Sequence, residues 1–301
     1  MDLDEFIVAV YCVVDDLMDE VLGGRRLRER GPDPVFDDRE VITVEMVGEF
    51  MGLDTETGIF CFFRRHYCEW FPKLCEVHRT TFTRQAANLW KAKKLLWEAL
   101  LDTRLKYDPK ICLLDSFAVP VSGFAKAPRH RSFAGVASCG YDAMAKAVFY
   151  GFEGHLRVAW PGVIVGASLA PANEHDRWVA EYDLLPAQVK EGSFLVGDTN
   201  YHSPILKESL VGYGSALIAP VRTNNKRPRH PWPRWLTNTR RRIETVISQM
   251  VERYGAKRVR ARDLWHLTSR FLRKVLSHTL CVCLCQRAGL GALRFSDLVA
   301  L

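Results

Sequence analysis

Ile111-Cys112-Leu113-Leu114-Asp115-Ser116 is the stretch on which the fold turns. Its apolar run is short, and Phe117, Val119 and Val121 continue it in alternation, so it reads as a buried strand whose apolar run ends on a carboxylate. The pattern returns downstream, where Phe194-Leu195-Val196-Gly197 delivers Asp198. Between the two, Ala147 to Trp160 and Val163 to Leu169 read as strands joined at the turn dipeptide Pro161-Gly162, and Glu174 to Leu185 reads as a helix. Further on, Ser203-Pro204 opens a short helix to Leu210 and Ala216 to Val221 makes a last strand. A Pro-, Arg- and Trp-rich loop then reaches Leu236, and helices follow from Thr239 to Tyr254 and from Leu264 to Cys285. Three strands in succession and then alternating units predict an α/β fold with a mixed sheet flanked by helices.

Upstream of residue 105 the period changes to that of helices. Phe6, Ile7, Val10, Val13, Val14 and Leu17 recur at helical spacing until Gly23-Gly24. Asp37-Asp38-Arg39-Glu40 reads as a helix start, a third helix is expected over Thr57 to Trp70, and Thr81 or Thr83 is expected to cap a long helix through Leu100. The division that follows is an all-helical domain over 1–105 and an α/β domain with C-terminal helices over 106–301. Short helices joined by turns suit a DNA-binding unit of the helix-turn-helix kind, and they suit a helical packing domain equally well.

Composition narrows the function. The chain has 301 residues, 48% of them hydrophobic, enough for a sizeable core. The first 22 residues carry seven acids and no Lys or Arg, which is unlike a secretory signal, and the apolar stretch Val275 to Cys285 falls short of a membrane span. A cytoplasmic, nucleoid-associated protein without a membrane partner is expected. The nine cysteines form neither a disulfide framework nor paired zinc knuckles, and Cys281, Cys283 and Cys285 read as small core residues. The net charge of +7 is unevenly spread: Arg222 to Lys274 holds 16 Lys/Arg and 3 Asp/Glu, leaving the rest of the chain acidic. Such polarity is the footprint expected for a phosphate backbone.

The chemistry rests on the acids. If the strands that end in Asp115 and Asp198 are parallel neighbours, both carboxylates share one edge of the sheet, where ligands bind in open α/β folds. Glu244 lies beside the apolar stripe Ile243, Val246, Ile247, Met250 and Tyr254 of its helix, one turn after Arg240. Three converging carboxylates repel one another unless divalent cations fill the gap, and hard oxygen ligands suit Mg²⁺ or Mn²⁺. Two such ions, roughly 3.5–4 Å apart, support in-line attack on phosphorus. Each acid taken alone is equally a turn residue or a surface ion pair; the three together, in matching contexts, are not.

Leu113-Leu114-Asp115-Ser116, Tyr150-Gly151-Phe152-Glu153-Gly154-His155, Gly197-Asp198-Thr199-Asn200-Tyr201 and Arg241-Arg242-Ile243-Glu244-Thr245-Val246 resemble, in this order, the motifs of bacterial DDE insertion-sequence transposases. The resemblance covers about residues 110 to 285. It implies an RNase H-like core, Asp115, Asp198 and Glu244 as catalytic residues and as ligands of two Mg²⁺ or Mn²⁺ ions, and a homodimer acting on terminal inverted repeats and target DNA. The implied activity is nicking of element ends and joining of their 3′-hydroxyls to a target; an RNase H-like nuclease that does not join, and an inactive repressor of transposition, are the alternatives. Arg222, Lys226, Arg227, Arg229, Arg234, Arg240, Arg241, Arg242, His155, Trp232 and Trp235 are the expected DNA contacts, the tryptophans by stacking on an unpaired base. Three departures stand out: Asn200 where the family has Gly, Glu153 where it often has Lys, and Val251 where many relatives carry a basic residue. An Asn at 200 preserves the turn if it takes a left-handed backbone conformation.

Overall fold

The computed structural model describes residues 1–28, 30–185, 189–220 and 232–299. By their contacts these fall into two units, one of residues Met1–Leu105 with Met250–Leu301 and one of residues Lys106–Gln249. The break after Leu105 lies where the sequence period changes. The C-terminal helices, grouped by sequence with the α/β segment, fall instead with the N-terminal helices.

The first unit is helical. Helix α1 (Leu3–Leu22) starts in a capping box of Asp2 and Glu5 and stops at Gly23, whose φ of 53° suits a residue without Cβ. Helix α2 (Asp38–Phe50) starts in a second capping box, Asp37 with Glu40, and α3 spans Glu56–His66. A short α4 (Pro72–Glu76) follows, and a disulfide joins Cys68 to Cys75, a pair the sequence reading did not make. The long helix expected from Thr81 or Thr83 is two helices, α5 (Arg79–Asn88), capped by His78, and α6 (Trp90–Thr103), which meet at Leu89.

Helix α10 (Leu264–Arg287) is the centre of this unit and packs on α6, α2 and α5, with the one-turn α11 (Phe295–Leu298) beside it. Cys281, Cys283 and Cys285 are buried within it, as core cysteines should be. Its cations are buried too: Arg273 meets Glu45 at 2.9 Å and Glu49 at 2.5 Å, and Lys274 meets Glu49 at 2.7 Å, while Lys93 of α6 meets Glu45 at 2.6 Å. Arg270 pairs with Glu56. The far end of the basic segment read from the sequence as a nucleic-acid footprint is therefore neutralised internally. Arg258 and Arg260 likewise each lie 3.3 Å from Asp54. Among the described residues no helix is long and apolar enough to cross a membrane.

The second unit is a six-stranded mixed sheet. Strand β1 (Asp108–Gly123) is central and pairs antiparallel with β3 (Ala147–Trp160). The far edge of β3 carries both the short β2 (Ser138–Asp142) and β4 (Val163–Pro171). On its other side β1 runs parallel to β5 (Phe194–Val196), and β5 runs parallel to β6 (Ala216–Ile218). This is the mixed sheet expected of the α/β fold. It has one more strand than the sequence showed, and a last strand that ends at Ile218 instead of Val221.

Helix α7 (Asp176–Val179) continues as a π-helical turn over Ala180–Leu184, inside the helix expected there. Helix α8 (Pro204–Gly212) links β5 to β6. Helix α9 (Arg234–Glu252) begins five residues before the expected start, so Trp235 is helical and not in a loop; the boundary between the units falls within this helix.

Candidate active site

Register brings the two aspartates together. Leu113 pairs with Val196 across the parallel β1–β5 ladder, so Asp115 and Asp198 each lie two residues beyond that pair; Asp198 follows the end of β5, whereas Asp115, expected at a strand end, lies mid-strand because β1 runs on to Gly123. Asp198 caps a 3₁₀ turn, Thr199–Tyr201, by accepting the Asn200 backbone N–H at 2.8 Å. Asn200 is right-handed there, since among the described non-glycine residues only Phe133 and Lys146 have positive φ. The substitution at 200 therefore needs no left-handed angle. Gly197 has its own requirement: a Cβ at that position would lie 2.7 Å from the Tyr201 ring, which is fully buried beneath it.

Asp115 is the focus of the field. Its carboxylate accepts the Ser116 backbone N–H at 2.9 Å, and Arg240 of α9 approaches to 3.9 Å. Burial, with Asp198 and Asp176 adding repulsion, outweighs these two contacts and pushes its pKa up to about 6. Helix α9 sets the exposed Glu244 one turn beyond the half-buried Arg240, but Glu244 is not among the main charges acting on Asp115. The structure thus joins Asp115 to Asp198 and brings the helix of Glu244 to them through Arg240.

Ser116 and His155 are paired across β1 and β3, so their side chains leave the sheet on the face opposite Asp115. There the Ser116 hydroxyl donates to Asp176 at 3.1 Å, and the His155 ring lies 3.6 Å from Asp176 and 4.0 Å from Glu153. His155 was expected to contact DNA; at 0% exposure it has no surface to offer a phosphate. Burial holds its pKa down to about 4, so the ring is neutral. Glu153 is pushed up to about 7, by burial first and then by Asp176. Gly154 between them is needed because a Cβ would meet the Phe117 ring at 2.8 Å. Sequence reasoning named Glu153 only as a missing lysine and did not single out Asp176, which no apolar run announces.

Of the remaining expected DNA contacts, Arg222, Lys226, Arg227 and Arg229 lie outside the described residues. Arg234 and Arg241 are exposed, and Arg242 lies over the Trp160 ring at 5.2 Å. Trp232 is half-buried. Trp235 is 64% exposed and lines, with Trp160, Phe194 and Leu236, an apolar cavity of about 420 Å³.

Residues 107–263 match the family described as "Transposase DDE domain", a span that takes in both aspartates, Glu244 and the whole sheet. The chain belongs to this family. DDE transposases are in general phosphoryl-transfer enzymes that use divalent metal ions. A search of curated proteins gives no match. Among solved structures, the chain is similar to one described as a cryo-EM structure of the piggyBac transposase synaptic complex with hairpin DNA, at 11% identity and a TM-score of 0.49, covering 99% of this chain and 79% of that one.

The donors fit the metal this family uses. Asp115 and Asp198 offer hard oxygen ligands, and among the described residues the cation paired with Asp115, Arg240, stands off at 3.9 Å, which leaves negative charge there for a metal ion to meet.

Proposed function

We propose that this DDE transposase is of the bacterial insertion-sequence type, and that it binds the terminal inverted repeats of its element, nicks them and joins the 3′-hydroxyl ends to target DNA. The observation that carries this reading is the placement of Asp115 and Asp198 two residues past one parallel strand pair, with the helix of Glu244 reaching Asp115 through Arg240. Asp115, Asp198 and Glu244 would hold two Mg²⁺ or Mn²⁺ ions, which when bound activate the attacking oxygen and stabilise the leaving one. The chain's own part is positional. The Ser116 N–H fixes one Asp115 oxygen, the Asn200 N–H fixes one Asp198 oxygen, and Arg240 ties α9 to the central strand. Arg241, exposed one residue further on, faces the phosphate backbone. The helical unit is assigned to DNA-end binding, and a homodimer pairs the two ends.

Incubation of the protein with a duplex bearing the element end, a target plasmid and Mg²⁺ tests this reading. Joined product supports it. Cleavage without joining makes the protein a nuclease, and a mobility shift without cleavage makes it a repressor.

A further inference from the structure

The face of the sheet opposite Asp115 holds a second group of metal-ligating side chains. One ligand atom from each of Glu153, His155 and Asp176 lies within 4.8 Å of the others. They come from two segments that the fold brings together: Glu153 and His155, two residues apart, share one face of β3, and Asp176 is the first residue of α7. We propose that Glu153, His155 and Asp176 form a binding site for a divalent first-row transition-metal ion, separate from the site of Asp115 and Asp198.

Three independent observations point to a ligand. His155 is fully buried, yet neither ring nitrogen has a hydrogen-bond partner, a costly state for an imidazole with nothing to bind. Its distances of 3.6 Å to Asp176 and 4.0 Å to Glu153 are too long for hydrogen bonds. They are close to the separation of about 3.4 Å between two donors that each stand about 2.1 Å from a shared tetrahedral ion. Second, the Tyr201 hydroxyl is also buried without a partner, and Asp176, Asp115, Asp198 and Glu153 all act on it. The charges of four acids thus converge on one buried hydroxyl. Third, a cavity of about 240 Å³ lined by Glu153, Asp176 and Asn200 gives an ion a route in.

The donor set selects the ion. Two carboxylates and a neutral imidazole favour Mn²⁺, Co²⁺ or Zn²⁺ over Mg²⁺, which takes oxygen donors. A bound ion would fix Asp176, and through the Ser116 hydroxyl it would brace the strand that presents Asp115. The rival arrangement is a metal-free proton-sharing pair of Glu153 and Asp176.

Metal binding to the full chain carrying Asp115→Asn and Asp198→Asn separates this site from the catalytic one, whatever that one does. Co²⁺ absorption and Zn²⁺ calorimetry are read in excess Mg²⁺. One equivalent of ion should bind, with Co²⁺ showing the visible bands of an imidazole-containing site. Glu153→Lys, which sets an ammonium where the ion would sit, and His155→Ala should each weaken binding at least a hundredfold, more than the loss of an outer hydrogen bond costs. Circular dichroism of the Glu153→Lys chain confirms that it is folded. Absence of binding up to millimolar Zn²⁺ and Co²⁺, or binding unchanged by Glu153→Lys, overturns the proposal; loss of DNA joining with the ion site intact overturns only the function above.

Discussion

The two units handle buried charge in opposite ways. In the helical unit Glu45, Glu49 and Glu56 are matched by Lys93, Arg270, Arg273 and Lys274, every acid facing a cation across a short ion pair. In the sheet unit Asp115, Asp198, Asp176 and Glu153 act on one another, and among the described residues the Arg or Lys paired with them is Arg240, at 3.9 Å from Asp115. The pKa values follow the same division. Glu56 is drawn down to about 2, where burial opposes but the hydrogen bond from Arg270 and the charge of Arg273 prevail, whereas Asp115 and Glu153 are driven up. A network that closes on itself serves the fold. One left negative in the sheet unit is open to completion by a cation from outside, which is the pattern expected of functional acids.

The largest test of this contrast is catalytic. Asp115→Asn, Asp198→Asn or Glu244→Gln should each lower strand cleavage by about a thousandfold or more, because a lost metal ligand forfeits several kcal/mol of transition-state stabilisation. End binding, followed by mobility shift, should persist. Full cleavage by any one variant would remove that residue from the site, and Glu244 is the most exposed to this test.

Next in size is the effect of charge removal on stability, which should change sign between the units. Arg273→Met leaves Glu45 and Glu49 buried with a lost partner and should cost about 3–5 kcal/mol in urea unfolding. Asp115→Asn, measured in EDTA at pH 8, relieves repulsion and should gain about 1 kcal/mol. A loss in both would mean that the sheet acids are as well compensated as the helical ones.

Acid should then dissect the helical unit. Glu56 has a depressed pKa, so its contribution is complete above its unfolded value of 4.5 and is lost as pH falls toward about 2. The shift corresponds to about 3 kcal/mol, less some solvent screening. Urea midpoints of wild type and Glu56→Gln should therefore converge between pH 4.5 and 2; a constant gap would contradict the pairing with Arg270. The smallest effect concerns DNA: Arg241→Ala should flatten the salt dependence of end binding by about 0.9 in log–log slope, the share of one phosphate.

What could be read from the sequence divides along physical lines. Asp115 and Asp198 were legible because a buried strand needs an apolar run, and each run stops at its carboxylate. Strand β2, Ser138-Cys139-Gly140-Tyr141-Asp142, offers no such run, since it is a half-exposed extension of the β3 hairpin. The cluster of Glu153, His155 and Asp176 depends on a pairing register and on the entry of α7, neither of which sequence spacing contains. Arg273 and Lys274 counted as surface charge in the sequence, because only the fold reveals the glutamates opposite them.

The helical unit is discontinuous in the chain, with its core helix α10 encoded about 160 residues after α6. On the ribosome, Glu45 and Glu49 must therefore wait until Arg273 and Lys274, 228 and 225 positions further on, emerge. A product of premature termination or a 3′ deletion would expose these acids and the apolar surface around them, and so would be cleared by proteases instead of persisting as a separate DNA-end binder. Damaged gene copies of this kind would leave no competing fragment behind.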